Sequence, residues 1–468
     1  MASVFRVPLG NERVIHPGVA APGPATGPRT QPPPRRPAAP APATQAPTAE
    51  APSGQAGSAG QAGTRDCKCV LPHPQAAEAR QMSGTGSLAE RDRRWAALHR
   101  AMAAEGYDVL LFAGADYRGH KGSLRYIADY NLAHRYGYAV MFPGEEPVMV
   151  LPQNLSSGRR PHTGWVSDYR YPYNLGEGLA EVLAARGRSP RVGVVGLGQV
   201  MKVEDYLAVT RALPAARIED ASVLFDRVRA IKSPAELRAV RESAYILDRC
   251  FDRLLEIARP GMTERSIAAE MYRTAAAMGG EDPLFLTMYV DAEPAGPVPT
   301  FGAPRYRELR VNDVLTFSYE LVGPAGYWVE FARMITFAEP SEPVSRLARA
   351  VGAGMGAACR ALRPGVAMGD VQRDLIAAVE AEGVKSSYWS GHGVGLDVLE
   401  EPWVGLDVVQ DSGNAGAVTE TADGMALAIH PTLWDEETAT MGYMSDTYVV
   451  SDGSCRALSK HPVQLYRV

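Results

Sequence analysis

A proline-rich stretch at the start of the chain limits how much of it can fold. Thirteen prolines fall between Pro8 and Pro52, among Ala, Gly, Thr and Gln residues. Such a composition buries too little apolar surface to offset the entropy lost on ordering. We therefore predict a disordered tail over residues 1–85. The rest of the 468-residue chain is too long for one hydrophobic core, so we expect more than one folded domain.

Charge, cysteine content and hydropathy exclude several classes of protein. The net charge is −5 and no long Lys/Arg run occurs, which argues against a nucleic-acid partner. Five scattered cysteines do not make a disulfide framework, and Cys67 and Cys69 lack the further ligands of a zinc site. No apolar run approaches the roughly 20 residues that span a bilayer, and Met1 to Gly10 has no apolar signal core. We expect a cytoplasmic protein without a membrane partner.

Residues 86–228 alternate between helical and strand-like patterns. Residues 88–104 place Trp95, Leu98 and Met102 on one helical side, and residues 107–114 read as a buried strand. A hairpin is predicted around Gly144, and another buried strand follows at 191–195. The alternation indicates an α/β domain.

The pattern changes after residue 228. Ser233, Pro234 and Glu236 are typical of a helix N-terminus, and they open a long amphipathic helix at 236–258. Strand-rich sequence then dominates. After a second helix at 263–278, the predicted strands are 315–319, 327–337, 425–429 and 443–450, and further helices are predicted at 343–362 and 367–382.

Short motifs in this second half occur in a characteristic order. They are RAIKSPAEL (229–237), RPGMTE (259–264), LRVNDV (309–314), GYWVEFAR (326–333), LRPGV (362–366), SGHGVG (390–395), EEP (400–402), ADGMALAIHP (422–431) and DTYVV (446–450). One such motif is weak evidence, but the ordered set is specific. The chain thereby resembles the M24 family, which includes methionine aminopeptidase, Xaa-Pro aminopeptidase, prolidase and creatinase.

The resemblance implies a fold and an assembly. It implies an α+β architecture, with a pita-bread (creatinase/aminopeptidase) catalytic domain over residues 229–468. The α/β domain over 86–228 resembles the N-terminal domain of creatinase and prolidase. It also implies a homodimer.

The metal ligands that the resemblance implies are largely replaced. Peptidases of the family hold two metal ions with two Asp, one His and two Glu. The corresponding positions here are Ser318 or Tyr319, then Glu330, His392, His430 and Ser445. One ion therefore loses most of its ligands, whereas Glu330, His392 and His430 remain for the other.

Three interpretations of this set stay open. Two histidines and one carboxylate suit one Zn²⁺ ion or one Fe²⁺ ion. Alternatively, catalysis is metal-free, as in creatinase, with His430 as general base and Glu330 orienting its ring. The third possibility is a scaffold without catalysis. Replacing Glu by His at position 430 keeps the capacity to bind a metal, which favours function.

Substrate contacts also differ from those of the peptidases. Two family histidines that touch the substrate correspond to Phe301 and Leu399. Tyr443 and Tyr289 are the candidates to replace them, and Trp389 is expected to line an apolar or planar-cation pocket. Separately, Glu320 shares a strand face with Ser318, where it could act as an acid or base or pair with an arginine.

Three functions follow from these alternatives. The first is hydrolysis of a C–N bond in a small amino-acid-derived, amide or guanidino substrate, unlike a standard dinuclear Xaa-Pro aminopeptidase. The second is a mononuclear non-haem iron oxidase, oxygenase or lyase. The third is a non-catalytic binding protein. A rewritten site fits a specialised biosynthetic step.

Overall fold

The computed structural model describes residues 76–468, except 118, 133–134, 154–163, 186, 188, 291–301, 407–417 and 436–439. For residues 76–79 and 282–290 it describes the backbone alone. Phe301, the side chain of Tyr289, the pair Cys67 and Cys69, and the predicted tail up to residue 75 therefore lie outside the described residues.

The predicted end of the disordered tail, at residue 85, is wrong. Residues Ala76–Ser83 form helix α1. Arg80 pairs with Asp129 at 3.2 Å, and Arg238 donates to the Ser83 carbonyl at 2.8 Å. These contacts with distant residues supply the stabilisation that the polar, alanine-rich segment lacks locally.

The next part of the chain forms a mixed six-stranded sheet with helices. In chain order the elements are α2 (Leu88–Glu105), β1 (Val109–Ala115), α3 (Gly122–Ala128), β2 (Tyr136–Met141), β3 (Val148–Val150), β4 (Tyr169–Arg170), α4 (Leu175–Ala184), β5 (Arg191–Val195), α5 (Val203–Ala212), β6 (Arg217–Asp220) and α6 (Ser222–Arg229). The strand order is β4-β3-β2-β1-β5-β6. The predicted hairpin is confirmed, since β2 and β3 pair antiparallel.

Both faces of this sheet are covered, which explains the unbroken apolar run in β1. Val109 and Leu111 belong to one core cluster, whereas Leu110 and Phe112 belong to another. Alternate residues of a strand point to opposite faces, so each face needs its own apolar set.

Helix α7 (Pro234–Ile257) begins as predicted. The Ser233 hydroxyl accepts from the Glu236 amide at 3.2 Å, and the Glu236 carboxylate accepts from the Ser233 amide at 2.7 Å. Helix α8 (Glu264–Ala277) follows. Phe251 of α7 packs on the next sheet, with its ring 4.8 Å from that of Phe331.

The remaining elements build the part of the fold that holds the site. They are β7 (Glu281–Val290), β8 (Val314–Val322), β9 (Trp328–Thr336), α9 (Glu342–Ala361), α10 (Met368–Ala381), β10 (Trp389–Gly393), β11 (Glu400–Gly405), β12 (Ala426–Ile429), β13 (Thr432–Asp435), β14 (Thr440–Tyr443), β15 (Asp446–Ser451), β16 (Ser454–Ala457) and β17 (Tyr466–Arg467). The described strands form sheets in the orders β17-β9-β8-β7, β11-β10-β12-β15-β16 and β13-β14.

The single strand predicted at 443–450 is divided in two. Tyr443 ends β14, and Asp446 begins β15. Between them Ser445 forms an isolated antiparallel bridge with Ala332 of β9, and Arg333 donates to the Ser445 carbonyl at 2.6 Å. The chain leaves one ladder to pair with another sheet, so the separate sheets meet at this point.

Candidate active site

Glu330 is the third residue of β9, and its side chain is buried. Its backbone amide donates to the Thr447 hydroxyl at 2.8 Å, and that hydroxyl donates to the Glu330 carbonyl at 3.0 Å. Thr447 belongs to β15, so one side chain ties the two sheets together at this glutamate. Sequence reasoning did not single out Thr447, because a threonine within a strand gives no distinguishing signal.

His392 occupies a narrow position on β10. A Cβ added to Gly391 would collide with the Ala428 carbonyl, and one added to Gly393 would collide with the Glu401 carbonyl. The glycines on both sides of His392 therefore allow close approach of the neighbouring strands. Nδ1 of His392 lies 3.0 Å from the Gly393 carbonyl, which fixes the proton on Nδ1. Nε2 is left as a lone pair, 3.5 Å from Oε2 of Glu330.

His430 follows β12 directly. Its backbone amide donates to the Ser390 carbonyl at 2.8 Å, and its Nε2 lies 3.9 Å from Oε2 of Glu330. Burial lowers the pKa of His430, although the Glu330 carboxylate opposes this effect. The neutral imidazole that burial favours is the form that binds a metal.

The three side chains fit one metal ion. Single donor atoms of Glu330, His392 and His430 all lie within 4.8 Å of one another. Donors at about 2.1 Å from a tetrahedral ion would stand roughly 3.4 Å apart. The separations of 3.5 Å and 3.9 Å from the Glu330 oxygen are close to that value. Two imidazoles and one carboxylate suit Zn²⁺ or Fe²⁺.

Tyr443 holds the other oxygen of the same carboxylate. Its hydroxyl donates to Oε1 of Glu330 at 2.8 Å, and Oε2 is the oxygen nearer to both histidines. Burial and the Glu330 charge raise the pKa of Tyr443 well above its ordinary value, which keeps the phenol protonated. Burial would raise the pKa of Glu330, but the neighbouring imidazoles of His430 and His392, which favour the carboxylate when they are protonated, and the Tyr443 hydrogen bond outweigh this effect and lower the pKa.

The structure decides between the two residues that could replace the first family aspartate. Ser318 lies opposite Ala332 in the β8–β9 ladder, on the same face as Glu320, which lies opposite Glu330. Tyr319 is on the other face, in the hydrophobic core, with its ring 5.8 Å from Phe317. Ser318 is therefore the residue at the site, and the Glu320 charge is close enough to raise the pKa of Tyr443.

Ser445, Arg333 and Asp446 lie at the junction of β9 and β15, the two strands that position Glu330. The Ser445 hydroxyl is buried and has no hydrogen-bond partner among the described residues. Arg333 pairs with Asp446 at 2.6 Å, and both side chains are almost fully buried. This pair fixes the junction of β9 and β15.

Two tryptophans flank the histidines. The Trp389 ring lies 5.1 Å from the His430 ring, and the Trp403 ring lies 5.6 Å from the His392 ring. Nε1 of Trp403 has no hydrogen-bond partner within the described part of the chain. Leu399, predicted to contact substrate, lies in the bend before β11 and is 48% exposed.

A buried ionic cluster holds the turn after β10. Lys232 pairs with Glu400 at 2.9 Å, and Arg229 pairs with Asp397 at 2.6 Å. Asp397 also accepts from the Gly122 amide at 2.7 Å. The cluster connects helix α3, which belongs to the same domain as the six-stranded sheet, to the turn that follows His392. The sequence signal was the RAIK motif at 229–232, whose charged residues could not be paired without the fold.

Two family models match the chain in succession. The Creatinase/Prolidase N-terminal domain matches residues 94–231, and Metallopeptidase family M24 matches residues 238–452. The chain belongs to family M24. The predicted α+β pita-bread fold, preceded by a creatinase-type α/β domain, is confirmed.

Individual relatives are 25–30% identical to this chain over part of its length. The probable dipeptidase PepE of Mycobacterium tuberculosis is 30% identical over 216 residues, which are 44% of this chain and 53% of PepE. The uncharacterized hydrolase/peptidase y4tL of Sinorhizobium fredii is 28% identical over 56% of this chain and 66% of its own length. The ectoine hydrolase of Halomonas elongata is 25% identical over 58% of this chain and 70% of its own. The match thus spans about half to two thirds of the first two relatives.

A solved structure supports the same fold. The dipeptidase PepE from Mycobacterium ulcerans superposes with a TM-score of 0.68 at 23% identity, over 82% of this chain and 99% of that one. Over the residues described here, no helix combines the length and apolar character needed to cross a membrane.

Proposed function

We propose that this protein hydrolyses a C–N bond in a small amino-acid-derived substrate, using one metal ion held by Glu330, His392 and His430. The observation that carries the proposal is the buried triangle of donor atoms, all within 4.8 Å of one another. Membership of family M24 and the relatives named dipeptidase and ectoine hydrolase support the reaction class.

The chain supplies positioned groups around that ion. A divalent ion bound there would lower the pKa of a coordinated water and polarise a carbonyl oxygen. Thr447 and Tyr443 fix the backbone and carboxylate of Glu330, and the Gly393 carbonyl fixes the tautomer of His392. Outer hydrogen bonds of this kind orient metal ligands.

Proton transfer needs a further group. Glu320 lies directly across from Glu330 and on the same sheet face, so its carboxyl is the candidate to deliver a proton to the leaving nitrogen. A positioned acid lowers the barrier to C–N cleavage because the departing amine would otherwise carry negative charge.

The tryptophans favour a small planar or cationic substrate group. Trp389 and Trp403 meet edge to face at 5.9 Å and flank both histidines. Aromatic rings bind planar and cationic groups through their faces. The Trp403 N–H has no partner among the described residues, so it is available to donate to a substrate oxygen. Phe301, Leu399 and Tyr289 are further predicted substrate contacts.

A second candidate function rests on the ligand set itself. Two histidines and one carboxylate, with open positions, are typical of non-haem Fe²⁺ enzymes. Iron at the site would favour an oxidase, oxygenase or lyase reaction. Dependence on oxygen separates the first two from hydrolysis, and product analysis separates a lyase.

The metal content tests the proposal. The untagged protein would be purified without added metal, reconstituted with Zn²⁺ or Fe²⁺, and analysed by mass spectrometry. We expect about one ion per chain, with loss in Glu330→Ala and in His430→Ala. Ser445→Ala is the matched control, because its buried hydroxyl lies beside the site but is not among the three donors, and it should keep the ion.

Activity then distinguishes the alternatives. The loaded protein would be incubated with dipeptides, N-acylated amino acids and guanidino acids, with and without oxygen, and the products identified by mass spectrometry. Hydrolysis products without oxygen uptake support the proposal. Turnover without metal would instead assign His430 as the base of a metal-free reaction. No metal and no turnover would indicate a binding protein.

The assembly is part of the same proposal. We propose a homodimer, as the family resemblance implies, and light scattering after gel filtration would measure the mass of the particle. A monomer at micromolar concentration would contradict it.

A further inference from the structure

Two cysteines that play no part in the site lie side by side. Cys359 is near the end of α9, and Cys455 is on β16, 96 residues further along the chain. Their sulfur atoms are 2.9 Å apart, and both thiols are free. A covalent S–S bond is about 2.05 Å long, so a small movement would bring the sulfurs to bonding distance.

The pair is accessible to a reagent. Both side chains are half-buried and line an open depression of about 460 Å³. Arg360, Arg363 and Arg456 line the same depression. This positively charged rim favours an anionic molecule of modest size over a neutral or cationic one. In contrast, Cys250 is fully buried in the core.

The two thiols differ in reactivity. The hydrogen bond with Cys455 lowers the pKa of Cys359, and Arg360 adds to this effect against the opposing influence of burial. The same hydrogen bond and burial raise the pKa of Cys455. We assign Cys359, which lies next to Arg360 in the lining of the depression, as the attacking thiol and Cys455 as the thiol that resolves the product.

We propose that Cys359 and Cys455 form a reversible disulfide by exchange with a low-molecular-weight disulfide that carries carboxylates. The Cys359 thiolate attacks the small disulfide, forming a mixed disulfide and releasing one small thiolate. The Cys455 thiol then loses its proton and attacks the Cys359 sulfur, releasing the second. The two protein thiols are oxidised by two electrons, and the small disulfide is reduced to two thiols.

This bond would connect α9 to β16, and β16 pairs with β15, the strand that contacts Glu330. Val450 of β15 pairs with Cys455 of β16. The same β15 carries Thr447, which binds the backbone of Glu330, and Asp446, which pairs with Arg333. Linking α9 to β16 therefore restrains the strand that supports Glu330. Closing so long a loop should raise the Tm by roughly 5 °C or more.

The experiment uses oxidised glutathione as the probe. The full chain would carry Cys67→Ser and Cys69→Ser, which leaves three of its five cysteines. After incubation, free thiols would be alkylated and the protein analysed by intact mass and peptide mapping. We expect one free thiol at Cys250, a linked Cys359–Cys455 peptide, no retained glutathione, the higher Tm, and full reversal by dithiothreitol.

Two single variants make the test sharp. In Cys455→Ala the mixed disulfide cannot be resolved, so one glutathione should remain on Cys359. In Cys359→Ala, Cys455 should react at least tenfold more slowly. Stable glutathione adducts without a linked peptide in the parent protein would overturn the proposal. So would a linkage only between separate chains, or two thiols as unreactive as Cys250.

Discussion

Tyr443→Phe is the substitution that most directly tests how the site is organised. It removes one hydroxyl, the donor to Oε1 of Glu330 at 2.8 Å, and leaves the ring in place. A buried hydrogen bond to a charged group contributes about 1.5–3 kcal/mol. Loss of an outer hydrogen bond to a metal ligand typically weakens metal binding by about 10- to 100-fold. We therefore expect weaker metal affinity together with a lower free energy of unfolding of the metal-free protein.

The assay is competition with a chromophoric chelator, combined with urea denaturation. Tyr319→Phe, on strand β8 next to the strand that carries Glu330, is a matched control. Its hydroxyl is also buried, but it has no hydrogen-bond partner among the described residues. Removing it should leave metal affinity unchanged and stability equal or higher. If Tyr443→Phe binds metal as tightly as Tyr319→Phe does, Tyr443 does not hold the carboxylate, and the proposed geometry is wrong.

Three further substitutions test the surroundings. Thr447→Val leaves the Glu330 amide without its partner, and urea denaturation should show a loss of about 1–3 kcal/mol; an unchanged midpoint would contradict this. Lys232→Met removes the ammonium that lies 2.9 Å from the buried Glu400 carboxylate and leaves Arg229, at 3.4 Å, as a remaining cation, so we expect a loss of about 1.5–3 kcal/mol. Burial raises the pKa of Glu400, but pairing with Lys232 outweighs this effect and lowers the folded-state pKa. The difference in stability between the parent protein and Lys232→Met should therefore be fully present above pH 4.5, the ordinary pKa, and should shrink as the pH falls through the lower folded-state pKa. A stability difference that does not change with pH would refute the pairing. If Trp403 donates to substrate, Trp403→Phe should raise KM without changing the Tm, and an unchanged KM would exclude that contact.

Local features of the sequence were enough to place the long helices and several central strands, whereas shorter elements such as α1 and β13 were not predicted. The capping residues Ser233 and Glu236 marked the start of α7, and helix periodicity marked α2 to within a residue or two. These signals act over a few residues, through caps and side-chain spacing, so they can be interpreted without the fold. The ordered motifs identified the family for the same reason, because each is a short local pattern.

The grouping of Glu330, His392 and His430 came from that resemblance. His392 lies 62 positions after Glu330, and His430 lies 38 positions after His392. Neither spacing predicts that the donor atoms of these residues meet in one triangle. The sheets had to be assembled before Oε2 of Glu330 could face both imidazoles. The assignment of metal and reaction therefore stays a proposal that the geometry supports.

Some features could be assigned only from the tertiary structure. Strand parity placed Ser318 on the face of β8 that carries the site and Tyr319 in the core, a choice that the sequence had left open. The break between Tyr443 and Asp446 arose because Ser445 pairs with Ala332, in a different sheet. Helix α1 depends on Asp129 and Arg238, which are distant in sequence. Local patterns were sufficient for the longer elements and for the family resemblance, whereas contacts between distant residues decided which side chains meet, because such pairing has no local pattern.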